Sequence, residues 1–280
     1  MTIANLDQLI NSLANSVSRI VLDKANLANQ TAGRACALWR ATGQPAQGAI
    51  PTAAVVCDNT LTGAIQFTQQ TAPATSYLGV LDVTGSNNAF TLEIHDRIAH
   101  MGGLVFNVAT PTVQTTNLPI DLNTLAPSAA RVGDPAYGDV QWWLEVYTDG
   151  GATASNATIN VTFDDASTGN LNTIAVGGTL RVGNRFSIDA LRTVPQQGKN
   201  IRGVNSVILS ATTGTAGNFG FTATRPRAYS PVMLANLVGK LDWAGLGLPE
   251  VPNGSCLEFL IIPSATSSGT LRGGGKIIHG

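Results

Sequence analysis

Charge is scarce in this chain. Asp, Glu, Lys and Arg make up 12% of its 280 residues, against about 25% in an ordinary globular protein. The charges present nearly cancel, leaving a formal net charge of −1, and they form no basic stripe. A phosphate backbone is gripped by clustered Lys and Arg, so this distribution excludes a nucleic-acid groove. Long apolar runs are missing as well. No stretch approaches the roughly 18 consecutive apolar residues of a membrane-spanning helix. The opening, Met1-Thr2-Ile3-Ala4-Asn5-Leu6-Asp7, has neither the basic start nor the unbroken apolar core of a signal peptide. The expectation is a protein made and folded in a cytoplasm, with no membrane contact.

Cysteine is rare and scattered. Cys36, Cys57 and Cys256 form no C-x-x-C pair, which argues against a zinc site or a closed disulfide framework. Buried thiols are the plain expectation. A cross-link in an extracellular particle is the alternative, because an odd count leaves at least one thiol over. Histidine is equally sparse, and only Glu93, His95, Asp96 and His100 crowd ligand-type side chains together. In an extended strand Glu93 and His95 share a face, Asp96 lies opposite, and His95 and His100 differ in parity. A metal site would need a turn between them, so a polar network or subunit contact is expected, with no metal and no organic cofactor. There is no G-x-S-x-G elbow and no Walker A loop; Gly273-Gly274-Gly275-Lys276 lacks the first glycine, the Ser/Thr and the following helix. Asp164-Asp165-Ala166-Ser167-Thr168-Gly169-Asn170 lacks the alternating oxygen ligands of a calcium loop and reads as a strand-ending turn. No catalytic residue is assigned.

Thr, Asn, Ser, Gln, Gly and Ala fill the places that charges would take, and 44% of the chain is hydrophobic. That supports a sizeable core, in one large β domain or two ordinary ones. A weakly charged surface can be buried without desolvating ions, which suits a subunit of a large assembly. The first segment is helical in pattern. Ile3, Leu6, Ile10, Leu13, Val17 and Ile20 recur at steps of three and four, one stripe of an amphipathic helix. Thr2 or Asn5 caps it and Asp7 suits its positive end. The opposite face, Asn11, Ser12, Asn15 and Ser18, is neutral. The helix either packs on its own sheet or reaches out as an arm to a neighbouring subunit.

After Gly33 the pattern changes to short strands bounded by Gly, Pro, Asn and Asp. Strands are predicted around 35–40, 53–57, 64–68, 77–83, 90–94, 104–108, 140–148, 158–163, 180–182, 185–188, 203–210, 218–223 and 256–262. The stretch from Thr110 to Tyr137, with four prolines and little periodicity, reads as an excursion over the surface. Val140 to Thr148 alternates and, with the turn signal Gly150-Gly151 and the return at Thr158 to Phe163, reads as a hairpin. The glycine-rich end reads as a flexible tail. With no βα alternation and no fixed-period repeat, the architecture is all-β: a jelly-roll-like β-sandwich with an N-terminal amphipathic helix arm. The expected division is an arm at 1–30, a sandwich at 31–265 and a tail at 266–280.

Alternation sends Trp142 into the core and Trp143 outward with Tyr147. An exposed Trp/Tyr pair fits an oligomer interface or a sugar-stacking face. Arg225-Pro226-Arg227 is the densest basic patch, too small for a phosphate backbone and suited to a carboxylate across an interface. The candidate interface residues are therefore Ile3, Leu6, Ile10, Leu13, Val17, Trp143, Tyr147, Arg225 and Arg227.

Several segments resemble virion structural proteins of tailed bacteriophages: Thr2 to Ile10, Asp96-Arg97-Ile98-Ala99-His100-Met101-Gly102-Gly103-Leu104, Trp143 to Thr148, and Thr212 to Gly220. The resemblance implies a non-enzymatic, many-copy subunit of the head or tail, assembled in a bacterial cytoplasm. It carries over no catalytic residue. The expected role is a capsid decoration (cement) protein. It would be a homo-oligomer, possibly a trimer, whose partners are the major capsid protein and copies of itself. A tail, neck or fibre-base subunit, a host-glycan-binding module and an envelope hydrolase are the alternatives.

Overall fold

The computed structural model describes residues 3–25, 27, 30–178 and 180–280. One longer helix, α1 (Leu6–Asn15), is followed by strands. The longer ones are β1 (Val17–Lys24), β2 (Ser76–Gly85), β3 (Phe90–Leu104), β4 (Gln141–Thr148), β5 (Asn156–Phe163), β6 (Ile201–Leu209), β7 (Asn218–Tyr229), β8 (Leu257–Pro263) and β9 (Leu271–His279). The fold is all-β with an N-terminal helix, as the strand punctuation implies. The chain forms two compact units. One takes Met1–Ala49, Asp58–Asp96 and Pro226–Gly280, the other Ile50–Cys57 and Arg97–Arg225. This differs from the expected single sandwich at 31–265.

In the second unit two sheets enclose the core. One runs Arg185–Ser187, β4, β7, β3; the other runs Thr168–Asn170, β5, β6, Ile120–Asp121. Three of the connections between them are arches: β3 to Ile120–Asp121, β4 to β5, and β6 back to β7. Because β7 lies between β4 and β3, and β6 between β5 and Ile120–Asp121, the three arches stack side by side. That wrapping gives the jelly-roll character. Period-two alternation fills the space between the sheets. Trp142, Leu144 and Val146 of β4, Ile159, Val161 and Phe163 of β5, Val204 and Val207 of β6, and Phe219 and Phe221 of β7 are all buried. The Trp142 Nε1–H donates to the Ile201 carbonyl at 2.8 Å, so the bulkiest core residue leaves no orphan donor.

The expected hairpin of β4 with β5 is an arch instead. β4 pairs with β7 and Arg185–Ser187, and β5 pairs with β6. Gly150-Gly151 serves a different purpose from a hairpin turn. The Gly151 N–H donates to Thr213 Oγ1 at 3.0 Å, and Thr153 N–H donates to the Thr213 carbonyl at 3.2 Å. A Cβ on Gly151 would lie 1.9 Å from that carbonyl oxygen. The glycine is there because two arch corners pass each other closely. The stretch from Thr110 to Tyr137, expected to run over the surface, contains the strand Ile120–Asp121 and two single-turn helices, Leu122–Leu125 and Ala129–Val132, and buries Ile120, Leu122 and Val132 in the core. Arg202 grips Asp121 with two bonds, at 3.1 and 3.0 Å.

In the first unit a sheet runs Gly239–Leu241, β2, β9, β1, Gly43–Gln44. α1 is half the expected length. Asn5 caps it by accepting from the Gln8 N–H at 2.9 Å; Thr2 lies outside the described residues. It ends at Ser16 because Val17, Ile20 and Val21 are β-branched and the next eight residues alternate as a strand. Ile20, Leu22 and Lys24 of β1 are buried while Arg19, Val21 and Asp23 are exposed. Val17 and Ile20 therefore belong to a sheet and not to the helical stripe.

The expected tail at 266–280 holds β9, between β1 and β2 in this sheet. Its residues 271–278 face Lys24 to Val17 of β1, and its other edge pairs with Gly85 to Ser76 of β2. The glycines that suggested flexibility answer to close approach. A Cβ on Gly273 would sit 2.0 Å from the Asp82 carbonyl oxygen, and one on Gly275 2.4 Å from that of Val80.

Candidate functional site

A few of this chain's sparse charges are fully buried. In the second unit Arg97 (β3), Glu145 and Tyr147 (β4), Thr222 (β7) and Arg185 of the strand Arg185–Ser187 come together from neighbouring strands, each with its side chain buried. Glu145 is the hub. Arg97 donates Nη2 to Oε2 at 2.8 Å and Nη1 to Oε1 at 3.2 Å, while Arg185 Nη2 reaches Oε2 at 3.0 Å. Thr222 Oγ1 donates to Oε2 at 2.5 Å. Arg97 also donates to Tyr147 Oη at 2.8 Å and to His100 Nδ1 at 2.9 Å. Burial pushes the Glu145 carboxyl up. The Arg185 and Arg97 guanidiniums, with hydrogen bonds from Arg97 and Thr222, more than offset this and hold it at about 2. Burial, aided by the Glu145 charge, pushes the Tyr147 phenol above its usual range. Such a carboxylate neither takes nor gives a proton near neutrality, so the cluster is suited to fixing strand neighbours rather than to acid–base chemistry.

Other buried ions are held similarly. Arg131 donates to the Cys57 carbonyl at 2.5 Å and to that of Arg97 at 2.9 Å. In the first unit Asp96 accepts from Arg227 at 3.2 Å, from Ser255 Oγ at 2.8 Å and from the Cys256 N–H at 3.0 Å. Lys24 donates to the Ala41 and Ala46 carbonyls at 2.9 and 3.3 Å. Burial lowers it to about 8, against the opposing pull of the Glu258 carboxylate. A lysine lowered in the fold makes the native state bind fewer protons than the unfolded one between the two values. Stability is therefore expected to rise with pH from about 8 to 10.5, and Lys24→Met should flatten that rise. Chemical denaturation midpoints at pH 7.5 and 9.5 check this; equal slopes for both proteins would contradict it.

The structure places the sequence-derived candidates as follows. Tyr147 is 0% exposed, so it does not share a surface with Trp143. Trp143 is half-buried and donates Nε1–H to Thr224 Oγ1 at 2.8 Å. The alternation of β4 holds, but the face expected to meet solvent carries the buried network. Arg225 and Arg227 find their carboxylates inside the chain, at Asp139 (2.9 Å) and Asp96. His95 is bonded to Glu93 at 2.7 Å, and His100 accepts from Arg97, so the two histidines serve separate partners. Among the described residues no three His, Cys, Asp or Glu side chains are grouped to hold a metal ion. Cys36, Cys57 and Cys256 are buried as thiols. No helix among the described residues is long and apolar enough to cross a membrane.

The stripe of the N-terminal helix is divided. Leu9 and Ser12 are buried and Ile3, Leu13 and Val17 half-buried, while Leu6 and Ile10 are 57% and 56% exposed. The helix thus packs on its own unit and still presents two large apolar side chains. A second apolar strip went unread in the sequence: Tyr229, Val232, Leu234, Leu237 and Val238 are all exposed. These residues follow no helical or strand period, so the sequence alone does not mark them as one surface. Also unread was His279, which bonds Ser18 Oγ at 2.8 Å and Ser76 Oγ at 2.9 Å. Its second nitrogen faces a hydroxyl where a hydrolase triad has a carboxylate.

No protein-family model and no curated protein matches the chain. Among solved structures it aligns with the infectious bursal disease virus VP2 subviral particle at 11% identity, over 98% of this chain and 86% of that one, with a TM-score of 0.18. The Gt strain of the same virus aligns at 9% identity, over 95% and 82%, with a TM-score of 0.17. Likeness at this level carries no argument about fold or function.

Proposed function

We propose that this chain is a non-enzymatic virion structural subunit, and that it acts as a capsid decoration protein binding an assembled shell. The observation that supports the reading is a set of large apolar side chains left on the surface of a chain with few charges. Fixed charges such as Arg97, Glu145, Arg185, Asp96 and Lys24 are buried, while Leu6, Ile10, Tyr229, Val232, Leu234, Leu237 and Val238 are exposed. Large exposed apolar groups mark contact surfaces. A ligand that binds only the assembled lattice stabilises that lattice by mass action. The glycan-binding alternative is weakened because its second aromatic, Tyr147, is buried.

The test separates folding from assembly. Leu6→Asp and Ile10→Asp place a charge on exposed positions and should leave the thermal midpoint within a few degrees of wild type. They should nonetheless prevent joining to particles. Leu9→Asp, on the buried face, should destabilise by a few kcal/mol. Particles lacking the protein should assemble, package and then release their genome at lower temperature. Unchanged release together with lost adsorption to host cells would move the protein to the tail. A copy number matching a ring rather than the shell would do the same.

A further inference from the structure

β1 is paired along only part of one edge. Its alternation can be read from one bond and the register. The His279 N–H donates to the Ser16 carbonyl at 2.9 Å, and the register runs unbroken from Val17↔Ile278 to Lys24↔Leu271. In an antiparallel ladder every second residue bonds to a given neighbour. Ser18, Ile20 and Leu22 therefore bond to β9, and Val17, Arg19, Val21 and Asp23 turn their N–H and C=O groups the other way. On that other side Asp23 pairs with Gln44, and the Ala25 N–H donates to the Thr42 carbonyl. The ladder then stops at Gln44, the last residue in register with β1 on this side. The Ala46 carbonyl accepts from Lys24 Nζ. Among the described residues no backbone group bonds to Arg19 or Val21 on this side.

The open edge is not a flat rim. It forms one wall of a cleft of about 290 Å³, lined by Arg19, Ile20 and Val21, by Gln44 to Ala46, and by Thr62 to Gln66 opposite. Ala64 and Ile65 are buried, so the far wall is anchored. Arg19 is the one ionic side chain among the lining residues and is exposed, with no ion pair among the described residues. Val21 stands beside it, 60% exposed.

We propose that this cleft is a strand-acceptor site that takes a short extended segment of another protein. The segment adds to β1 through the backbone of Arg19 and Val21, with an acidic side chain over Arg19. Main-chain bonds to an open strand edge supply affinity in such recognition, and alternate side chains supply selectivity. The charge of the occupant follows from Arg19, and its short length from the two or three residues of edge left open. This inference does not rest on the virion reading.

Panning a random octapeptide library against the full-length protein tests it. Captured peptides should be enriched in Asp or Glu flanked by β-branched residues. Bound peptide should slow amide exchange at Arg19 and Val21 while leaving Ser18 and Ile20, already bonded to β9, unchanged. Val21→Pro removes a donor that faces the cleft and not β9, a position where a strand tolerates proline. It should keep the thermal midpoint within a few degrees and lose peptide affinity at least tenfold. Arg19→Glu should invert the preference, so that lysine-bearing peptides are captured instead. Absence of any enrichment, or acidic peptides held equally by the Val21→Pro protein, overturns the proposal. Concentration-dependent dimers that Val21→Pro dissolves in the absence of peptide would overturn it in favour of a second copy as occupant.

Discussion

Glu145→Gln is expected to destabilise the second unit by about 3–5 kcal/mol, the usual consequence of removing one partner from a buried ion pair. The amide keeps the shape of the carboxylate but not its charge. Arg97 and Arg185 would then be two buried guanidiniums without the counter-ion that both contact within 3.0 Å. With total stabilities of about 5–15 kcal/mol in natural domains, a loss of this size brings unfolding close to ordinary temperatures. Denaturant midpoints measure it. The same carboxylate sets an acid limb. Its folded value of about 2 lies below its ordinary 4.5, so the stabilisation is complete above 4.5 and is lost as pH falls toward 2. The Gln variant should show a shallower decline across that window. A variant as stable as wild type at neutral pH, with an unchanged acid limb, would mean that the network contributes nothing to folding.

The second large effect is expected at β9. Gly273→Val and Gly275→Val each drive a side chain into the backbone of β2, where a Cβ alone would lie 2.0 or 2.4 Å from a carbonyl oxygen. The obstacle is main chain, which cannot rotate aside, so the central strand must separate from its neighbour. A loss above about 4 kcal/mol is expected, in the range reserved for overpacking and backbone incompatibility. Gly245→Ala is the comparison, since its Cβ would meet nothing closer than 3.5 Å. That change should stay within about 1 kcal/mol of wild type. Soluble yield and thermal midpoint report both. Valine variants that melt with the parent protein would return β9 to the status of a loose tail.

Much of the strand content was legible because alternation is a local property. Val140 to Thr148 and Thr158 to Phe163 could be placed on strands, and their inward faces identified, from period-two patterning alone. What the pattern does not encode is the partner. A turn signal such as Gly150-Gly151 looks the same whether two strands fold back on each other or separate into opposite sheets. The deciding contact, with Thr213, lies 62 residues away. The outward face of β4 failed for a related reason. Glu145 and Tyr147 read as solvent-facing because polar residues usually are, and nothing near them in sequence reveals Arg97 and Arg185. Helix periodicity likewise ran past its physical end, since Val17 and Ile20 satisfy the spacing of a helix and the alternation of a strand. Composition misled at β9, where glycine means closeness rather than freedom.

The pairing of β1 with β9 also constrains how the chain can be made. Among the described residues the one long neighbour of residues 17–24 is at 271–278. At a synthesis rate of about 5–20 residues per second, β1 leaves the ribosome roughly 12–50 seconds before that neighbour is available. The first unit's sheet consequently closes only after β9 has emerged, whereas the arches of Arg97–Arg225 have all their strands earlier. During the interval β1 is exposed on both edges, and the nascent chain is open to pairing with other chains on the same message. Folding order within the first unit therefore runs against sequence order: β1, translated before β2 to β9, waits for the last of them to be secured.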